Sequence, residues 1–281
     1  EDATSREIWV ESLKTFLATE RGLDEKRQTY ALTLVVTGPL QLSCEWVQVD
    51  QGVDVECEHI QVRPHDSAGV DPCPLLRAPT HKLVARAHGG KLYIIRLLHK
   101  DWIGPLATTV DFLAKSIHTG YVAHRSELVA SRGNHLRFVA DLIFLDLGVR
   151  QVLYLDNDVC VKRPVEKIFQ IEGDEAVVAA ARTDSRGVVL RLSNENMNIE
   201  SKFLQAYGFT TSFNAGVVLF RTQAMCKFGL LKRMLEVQKH HNNVEQLWTK
   251  GTNQPPFEIA AARSLRITSF SWNCRLTVDD M

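Results

Sequence analysis

Asp156 and Asp158 flank one amide, Asn157, at the end of the apolar run Val152-Leu153-Tyr154-Leu155. Strand side chains alternate, so residues at i and i+2 share a face if the extended conformation persists. Two carboxylates placed there repel each other and lose water, and a divalent cation is the economical compensation. Oxygen-only ligation suits Mn²⁺ or Mg²⁺. Such ions keep positions open for substrate phosphates and neutralise charge on a leaving diphosphate. A strand ending this way at the carboxyl edge of an open α/β sheet points to the usual ligand crevice. A lone DxD also recurs as two acids capping a strand in a solvated turn.

The elements that must position these carboxylates can be read from apolar patterning. The run at 151–156 reads as a buried parallel strand. Before it, Asn134 can cap a helix through Leu145, closed by Gly148. After it, 176–181 reads as a short strand, 195–206 as a helix and 213–220 as a strongly apolar strand. Thr222 can cap a helix to about His240, with Phe228, Leu231, Leu235 and Gln238 on its inner side. A shorter helix is expected over 243–250, an extended turn at Pro255-Pro256, and a last strand over 265–270. Nearer the amino end, an amphipathic helix is expected over 5–20, strands over 30–36 and 53–62, and a hairpin from 82–87 and 91–98 joined at Gly89-Gly90. Helices are also expected over 108–117 and 125–131. Alternating strands and helices imply an α/β fold with a substantial parallel component. The Pro- and Gly-containing stretch 63–80 is the one plausible internal boundary.

Composition excludes several classes. The 281 residues carry 33 Lys plus Arg and 33 Asp plus Glu, a formal charge of zero, so no nucleic-acid partner is advertised. No run of about 18 apolar residues occurs, so no transmembrane segment is expected. None of the six cysteines forms a CxxC pair, which excludes a zinc finger or a thioredoxin-like motif. Cys160 reads as a small core residue, and Cys44, Cys57 and Cys73 could pair in an oxidising compartment. Starting at Glu1 and ending at Met281, the chain is expected to be a portion of something longer.

Six segments occur in order: NHLRFVADLIFLDLGVRQ, LYLDNDVCV, AAARTD, SFNAGVVLF, LWTKGTNQPPFE and SWNCRL. Together, over about residues 121–276, they resemble the family 8 glycosyltransferases, especially the plant-type galacturonosyltransferase-like branch. The resemblance implies a GT-A-like nucleotide-sugar transferase fold with a mixed, mainly parallel central sheet. It implies a retaining transferase that moves a sugar from a nucleoside-diphosphate donor, in the first place a UDP-sugar, to a glycan or other hydroxyl acceptor. Asp156 and Asp158 match the DxD that holds Mn²⁺ against the donor diphosphate, with Asn157 between them in the donor-binding set. Arg137 matches an arginine that helps hold the donor; its alternative is a helix-surface ion pair with Asp141. Asp184 matches a position near donor sugar and acceptor, with a turn residue as the alternative. Asn214 matches an asparagine facing the sugar, where an amide can donate and accept, and Gly216 permits close backbone approach. Gln254 takes a catalytic position by analogy, although Asn253-Gln254 departs from the family's loop.

Two departures shape the expectation further. A histidine segment that completes the metal site in the family has no match after Trp272-Asn273, so the transferase half, 101–281, is expected to be truncated. Residues 1–100 match weakly and are expected to form an incomplete nucleotide-binding half. His240 and His241 read as helix-end residues. Two competing readings remain. One is a haloacid-dehalogenase-like phosphatase with the first Asp as nucleophile. The other is a non-catalytic descendant that binds a glycan or partner. The family resemblance also implies the Golgi lumen or another secretory compartment.

Overall fold

The computed structural model describes residues 29–36, 56–59, 87–88, 91–99, 113, 135, 137–145, 149–156, 159, 165–181, 197–249 and 253–269. Expected helices over 5–20 and 125–131 lie outside these residues, as do Asn157, Asp158 and Asp184. Packing divides the chain into two compact units.

In the first unit, β4 (Lys91–His99) is central. It pairs in parallel with β1 (Thr29–Val36) and with β2 (Glu56–His59). A short β3 (Ala87–His88) pairs antiparallel with the start of β4, Ala87 opposite Leu92 and His88 opposite Lys91. Gly89-Gly90, the expected joint of a hairpin, lies outside the described residues. A single helical turn, Glu166–Phe169, belongs to the same unit.

The second unit is built on a four-stranded sheet of order β5-β7-β6-β8. These strands are β5 (Gln151–Leu155), β6 (Val177–Ala181), β7 (Phe213–Arg221) and β8 (Leu265–Thr268). β7 runs antiparallel to both neighbours, whereas β6 and β8 are parallel. The mixed α/β class is as expected, but β5, read as a buried parallel strand, is half-buried and has an antiparallel neighbour. Apolar content signals burial without encoding the direction of a partner, which explains the difference.

Helical boundaries moved for local reasons. A 3₁₀ turn at Arg137–Val139 leads into α1 (Ala140–Phe144), where one longer helix was expected. Ser201 caps α2 (Lys202–Tyr207) by accepting from Phe203 N at 3.2 Å, so that helix starts later than its pattern suggested. The expected helix from Thr222 to His240 is two, α3 (Thr222–Phe228) and α4 (Leu230–Asn243). Gly229, at φ +68°, separates them, because the left-handed region is open to glycine without strain. That break rotates the following face, and α4 buries Leu230, Met234, Val237 and Gln238 rather than Leu231 and Leu235. Thr222 is no cap; its hydroxyl donates to Val149 O at 2.6 Å and ties α3 to the approach to β5. In place of the short helix expected over 243–250, α4 ends at Asn243 and residues 245–247 are irregular up to Trp248, which bridges Met197. Pro255-Pro256 do not enforce an extended turn. They open α5 (Gln254–Ala261), where missing N–H donors cost nothing.

The core gathers on Phe257 of α5, which is fully buried. Its ring meets Phe138 at 5.0 Å, Phe213 at 5.1 Å edge-on and Phe220 at 5.8 Å. One aromatic side chain thus joins the 3₁₀ turn, both ends of β7 and α5.

His241, in the last turn of α4, stacks on Trp248 at 3.5 Å and accepts from Leu247 N at 3.0 Å. Burial lowers its pKa from 6.5 to about 4, so at neutral pH it is an uncharged acceptor rather than a partner of the helix dipole. Between those values the unfolded chain binds a proton that the folded chain refuses. The His241 contribution is therefore complete above pH 6.5 and is lost as pH falls from 6.5 to about 4. Urea denaturation across this range should show the stability gap between wild type and His241→Phe narrowing as pH drops. A constant gap would contradict a neutral, accepting His241.

Candidate active site

Three segments distant in sequence converge on Arg137. Its Nη1 donates to Asp156 Oδ1 at 3.2 Å and to Ala215 O at 3.4 Å. Its Nη2 donates to Asn253 Oδ1 at 3.2 Å. The guanidinium also lies 5.1 Å from the Phe138 ring centre and 4.8 Å from that of Tyr154, within cation–π range. Arg137 is 7% exposed whereas Asp156 is 38% exposed. The cation is thus committed to the protein, and the carboxylate has an open side. The i+4 ion pair with Asp141 is not the arrangement adopted; the ion pair Arg137 makes among the described residues is with Asp156.

Tyr154 completes the hold on Asp156 by donating its hydroxyl to Oδ1 at 2.5 Å. Burial raises the Tyr154 pKa well above its ordinary value, so the phenol is the proton donor at neutral pH. With Oδ1 engaged by Arg137 and Tyr154, Oδ2 has no hydrogen-bond donor among the described residues.

Backbone register sets where this oxygen lies. Leu155 pairs with Val217, and Asp156 N donates to Gly216 O at 2.8 Å, which carries the ladder one residue past β5. On the other side, Ala179 faces Val218 but Ala181 faces Phe213. β7 therefore spends surplus residues between those pairs, and Asn214, Ala215 and Gly216 fall within that irregularity, a placement typical of strands beside active sites. A Cβ at Gly216 would lie 3.0 Å from Asp156 Oδ2 and 3.3 Å from Asn214 Oδ1. Glycine is what lets the carboxylate and the amide crowd the strand. Asn214 Oδ1 accepts from Gly216 N at 3.0 Å, which fixes the amide against its own strand.

Gln254, the first residue of α5, is tied to the same strand. Its Nε2 donates to Phe213 O at 2.8 Å and to Glu258 Oε1 at 2.7 Å. Glu258 Oε1 also accepts from Ser212 Oγ at 2.8 Å and from Phe213 N at 3.4 Å.

Of the residues expected from sequence, Arg137 and Asp156 are in contact, and Asn214 and Gln254 are fastened at adjoining points of β7. Asn157, Asp158 and Asp184 lie outside the described residues. Tyr154, Asn253, Ser212, Glu258 and the Ala215 carbonyl were not anticipated. Tyr154 was legible in principle, since it stands two residues before Asp156 on the same strand face. The others are joined only by tertiary proximity.

Among the described residues, no three His, Cys, Asp or Glu side chains gather to hold a metal ion. The donor chemistry of Asp156 nonetheless fits a hard cation. One carboxylate oxygen is pinned by neutral and cationic donors, and the other is an open oxygen above a glycine that leaves room for it.

The sequence model of glycosyl transferase family 8 matches residues 107–281. The chain belongs to that family. It is a glycosyltransferase with a GT-A-like fold. Among solved structures, the mouse xyloside xylosyltransferase 1 apo form is similar over 98% of this chain and 83% of its own, with 12% identity and a TM-score of 0.59. A galactosyltransferase LgtC, in complex with donor and acceptor sugar analogues, is similar over 96% of this chain and 72% of its own, with 15% identity and a TM-score of 0.51. At such identities the likeness concerns the fold. No curated protein sequence matches significantly. Among the described residues no helix is long and apolar enough to cross a membrane.

Removal of the Asp156 carboxylate should leave the Arg137 guanidinium uncompensated. Asp156→Ala is expected to lower stability by roughly 2 kcal/mol, less than orphaning a fully buried charge because Asp156 is part-exposed. Asp156→Asn, which retains an acceptor oxygen, should lose less. Equal stability of Asp156→Ala and wild type in urea titration would show that the pair does not hold Arg137.

Proposed function

We propose that this glycosyltransferase is a retaining enzyme of the plant-type galacturonosyltransferase-like branch. It would take a nucleoside-diphosphate sugar, in the first place a UDP-sugar, and a glycan or other hydroxyl acceptor. The observation that carries the reading is the Asp156 carboxylate, held at one oxygen by Arg137 and Tyr154 and open at the other. Family membership supports sugar transfer and removes the support for a phosphatase.

Asp156 and Asp158 would hold Mn²⁺ or Mg²⁺. The chemistry that such a cation supplies when bound is charge neutralisation at the donor diphosphate. The chain's own residues do the remaining work. Arg137 fixes Asp156 and adds positive potential close to the anionic donor. Asn157, between the two aspartates in sequence, would belong to the donor-binding set. Asn214 and Gln254, both fastened to the bulged start of β7, orient the reacting sugar, and Asp184 would serve near the donor sugar and the acceptor. In the transfer, the bond from the anomeric carbon to the diphosphate oxygen breaks and a bond to the acceptor oxygen forms. The acceptor proton passes to the departing phosphate, which needs no additional base.

The compartment we infer from the family resemblance is a secretory one, with the Golgi lumen as the expected one; a disulfide at Cys226 is compatible with it. That cysteine lies in α3 and was not among those singled out for pairing.

UDP release from UDP-sugars, measured with and without Mn²⁺, tests the proposal. Metal-dependent release is expected, falling at least about a hundredfold in Asp156→Ala and in Asp158→Ala. Hydrolysis of a phosphate monoester without response to any nucleotide-sugar would overturn it, and so would calorimetry showing no heat with millimolar UDP and Mn²⁺.

A further inference from the structure

Glu258 is 3% exposed on a helix whose other buried residues, Pro255, Pro256, Phe257, Ile259, Ala260 and Ala261, are apolar. A carboxylate in such a setting is costly unless its hydrogen bonds return the lost hydration. A methionine would fill similar volume without that cost. What Glu258 does instead is accept three hydrogen bonds at one oxygen, from Ser212 Oγ, Phe213 N and Gln254 Nε2.

The consequence falls on Gln254. A primary amide has two protons on nitrogen and only lone pairs on oxygen. Gln254 Nε2 is 2.8 Å from a backbone carbonyl, Phe213 O, and 2.7 Å from Glu258 Oε1. A carbonyl cannot donate, so the nitrogen must face these two acceptors, and the amide orientation is decided by its partners. Both protons are then used. Oε1 is left without a hydrogen-bond partner among the described residues, on a side chain whose residue is part-exposed.

We propose that Glu258 is a positioning residue for the transferase reaction: with Phe213 O it captures both amide protons of Gln254 and leaves only the amide oxygen to meet the substrate. The proposal rests on the reading that Gln254 belongs to the nucleotide-sugar site. Gln254 in this orientation accepts from a sugar hydroxyl and cannot donate to one. Through Ser212 and Phe213 the same carboxylate also holds the strand just before Asn214, so two sugar-facing amides are set by one buried group.

The test uses the ¹⁵N-labelled full chain. The Gln254 side-chain amide signals, assigned by their loss in Gln254→Ala, should exchange slowly with solvent in wild type. Glu258→Met should accelerate that exchange at least about tenfold, whereas Glu258→Gln, which keeps an acceptor oxygen, should preserve most of the protection. On a UDP-sugar, Glu258→Met should lower kcat by about 10- to 100-fold with KM within a few-fold, as expected of misplacement rather than lost affinity. Glu258→Gln should restore most of kcat. The double variant Gln254→Ala/Glu258→Met should be no slower than Gln254→Ala alone, since the two residues act as one unit. Unchanged exchange in Glu258→Met, or multiplicative losses in the double variant, would overturn the proposal. Should Glu258→Met fail to fold, wild type still decides: Gln254 amide protons that exchange as fast as those of a surface glutamine would also overturn it. A wild type that turns over no nucleotide-sugar refutes the functional reading, while the exchange data still decide whether Glu258 holds Gln254.

Discussion

A buried guanidinium has few ways to exist. Arg137 is surrounded by protein, and its charge must be met by acceptors that the chain brings to it. Those acceptors are the Asp156 carboxylate, the Ala215 carbonyl and the Asn253 amide oxygen. They come from the end of β5, the start of β7 and the residue before α5. The requirement to satisfy one cation therefore fixes the mutual placement of three segments distant in sequence. Phe138, the next residue along, drives into the Phe257 cluster and makes the 3₁₀ turn a firm base for the guanidinium. Charge satisfaction and aromatic packing act on neighbouring residues and reinforce each other.

The cost of this arrangement is concentrated at the start of β7. The strand is almost wholly buried, yet it breaks register with β6 just where Asn214, Ala215 and Gly216 lie. Releasing those residues from one ladder frees the Ala215 carbonyl for Arg137 while Gly216 remains bonded to Asp156 on the other side. Glu258 and Gln254 then secure the residues preceding the irregularity. The irregular strand beside the candidate site is stabilised by polar contacts, and its apolar remainder anchors it in the sheet. The geometry suits a sugar transferase, whose main demand is to orient a donor rather than to supply a nucleophile.

Much of the site was visible in the chain itself because the relevant signals are local. The apolar run before Asp156 marks a strand end, and Phe213 to Phe220 marks a core strand. Arg137 lies within a patterned segment close before β5. The less visible part is relational. Tyr154 is apolar enough to pass as one more strand residue until its hydroxyl is seen on Asp156. Glu258 carries no local signal of burial and is found among buried apolar neighbours only in the fold. Gly229 and Pro255-Pro256 misled in opposite senses. A glycine tolerated inside a helical pattern proved to be a break, and prolines read as an extended turn proved to be a helix start.

Sequence alone determined the α/β class, the strand bearing the first aspartate, and the candidate set that contains Arg137, Asp156, Asn214 and Gln254. The class and the strand follow from periodicity and residue type, and the candidate set from a family resemblance carried by an ordered series of motifs. Tertiary structure alone decided that β5 lies against an antiparallel neighbour and that Arg137 chooses Asp156 over Asp141. It also decided that Asn253 and the Ala215 carbonyl complete the cation's shell and that Glu258 governs Gln254. Those outcomes depend on which buried polar group can reach which partner once the core has closed, and no local pattern encodes such distances.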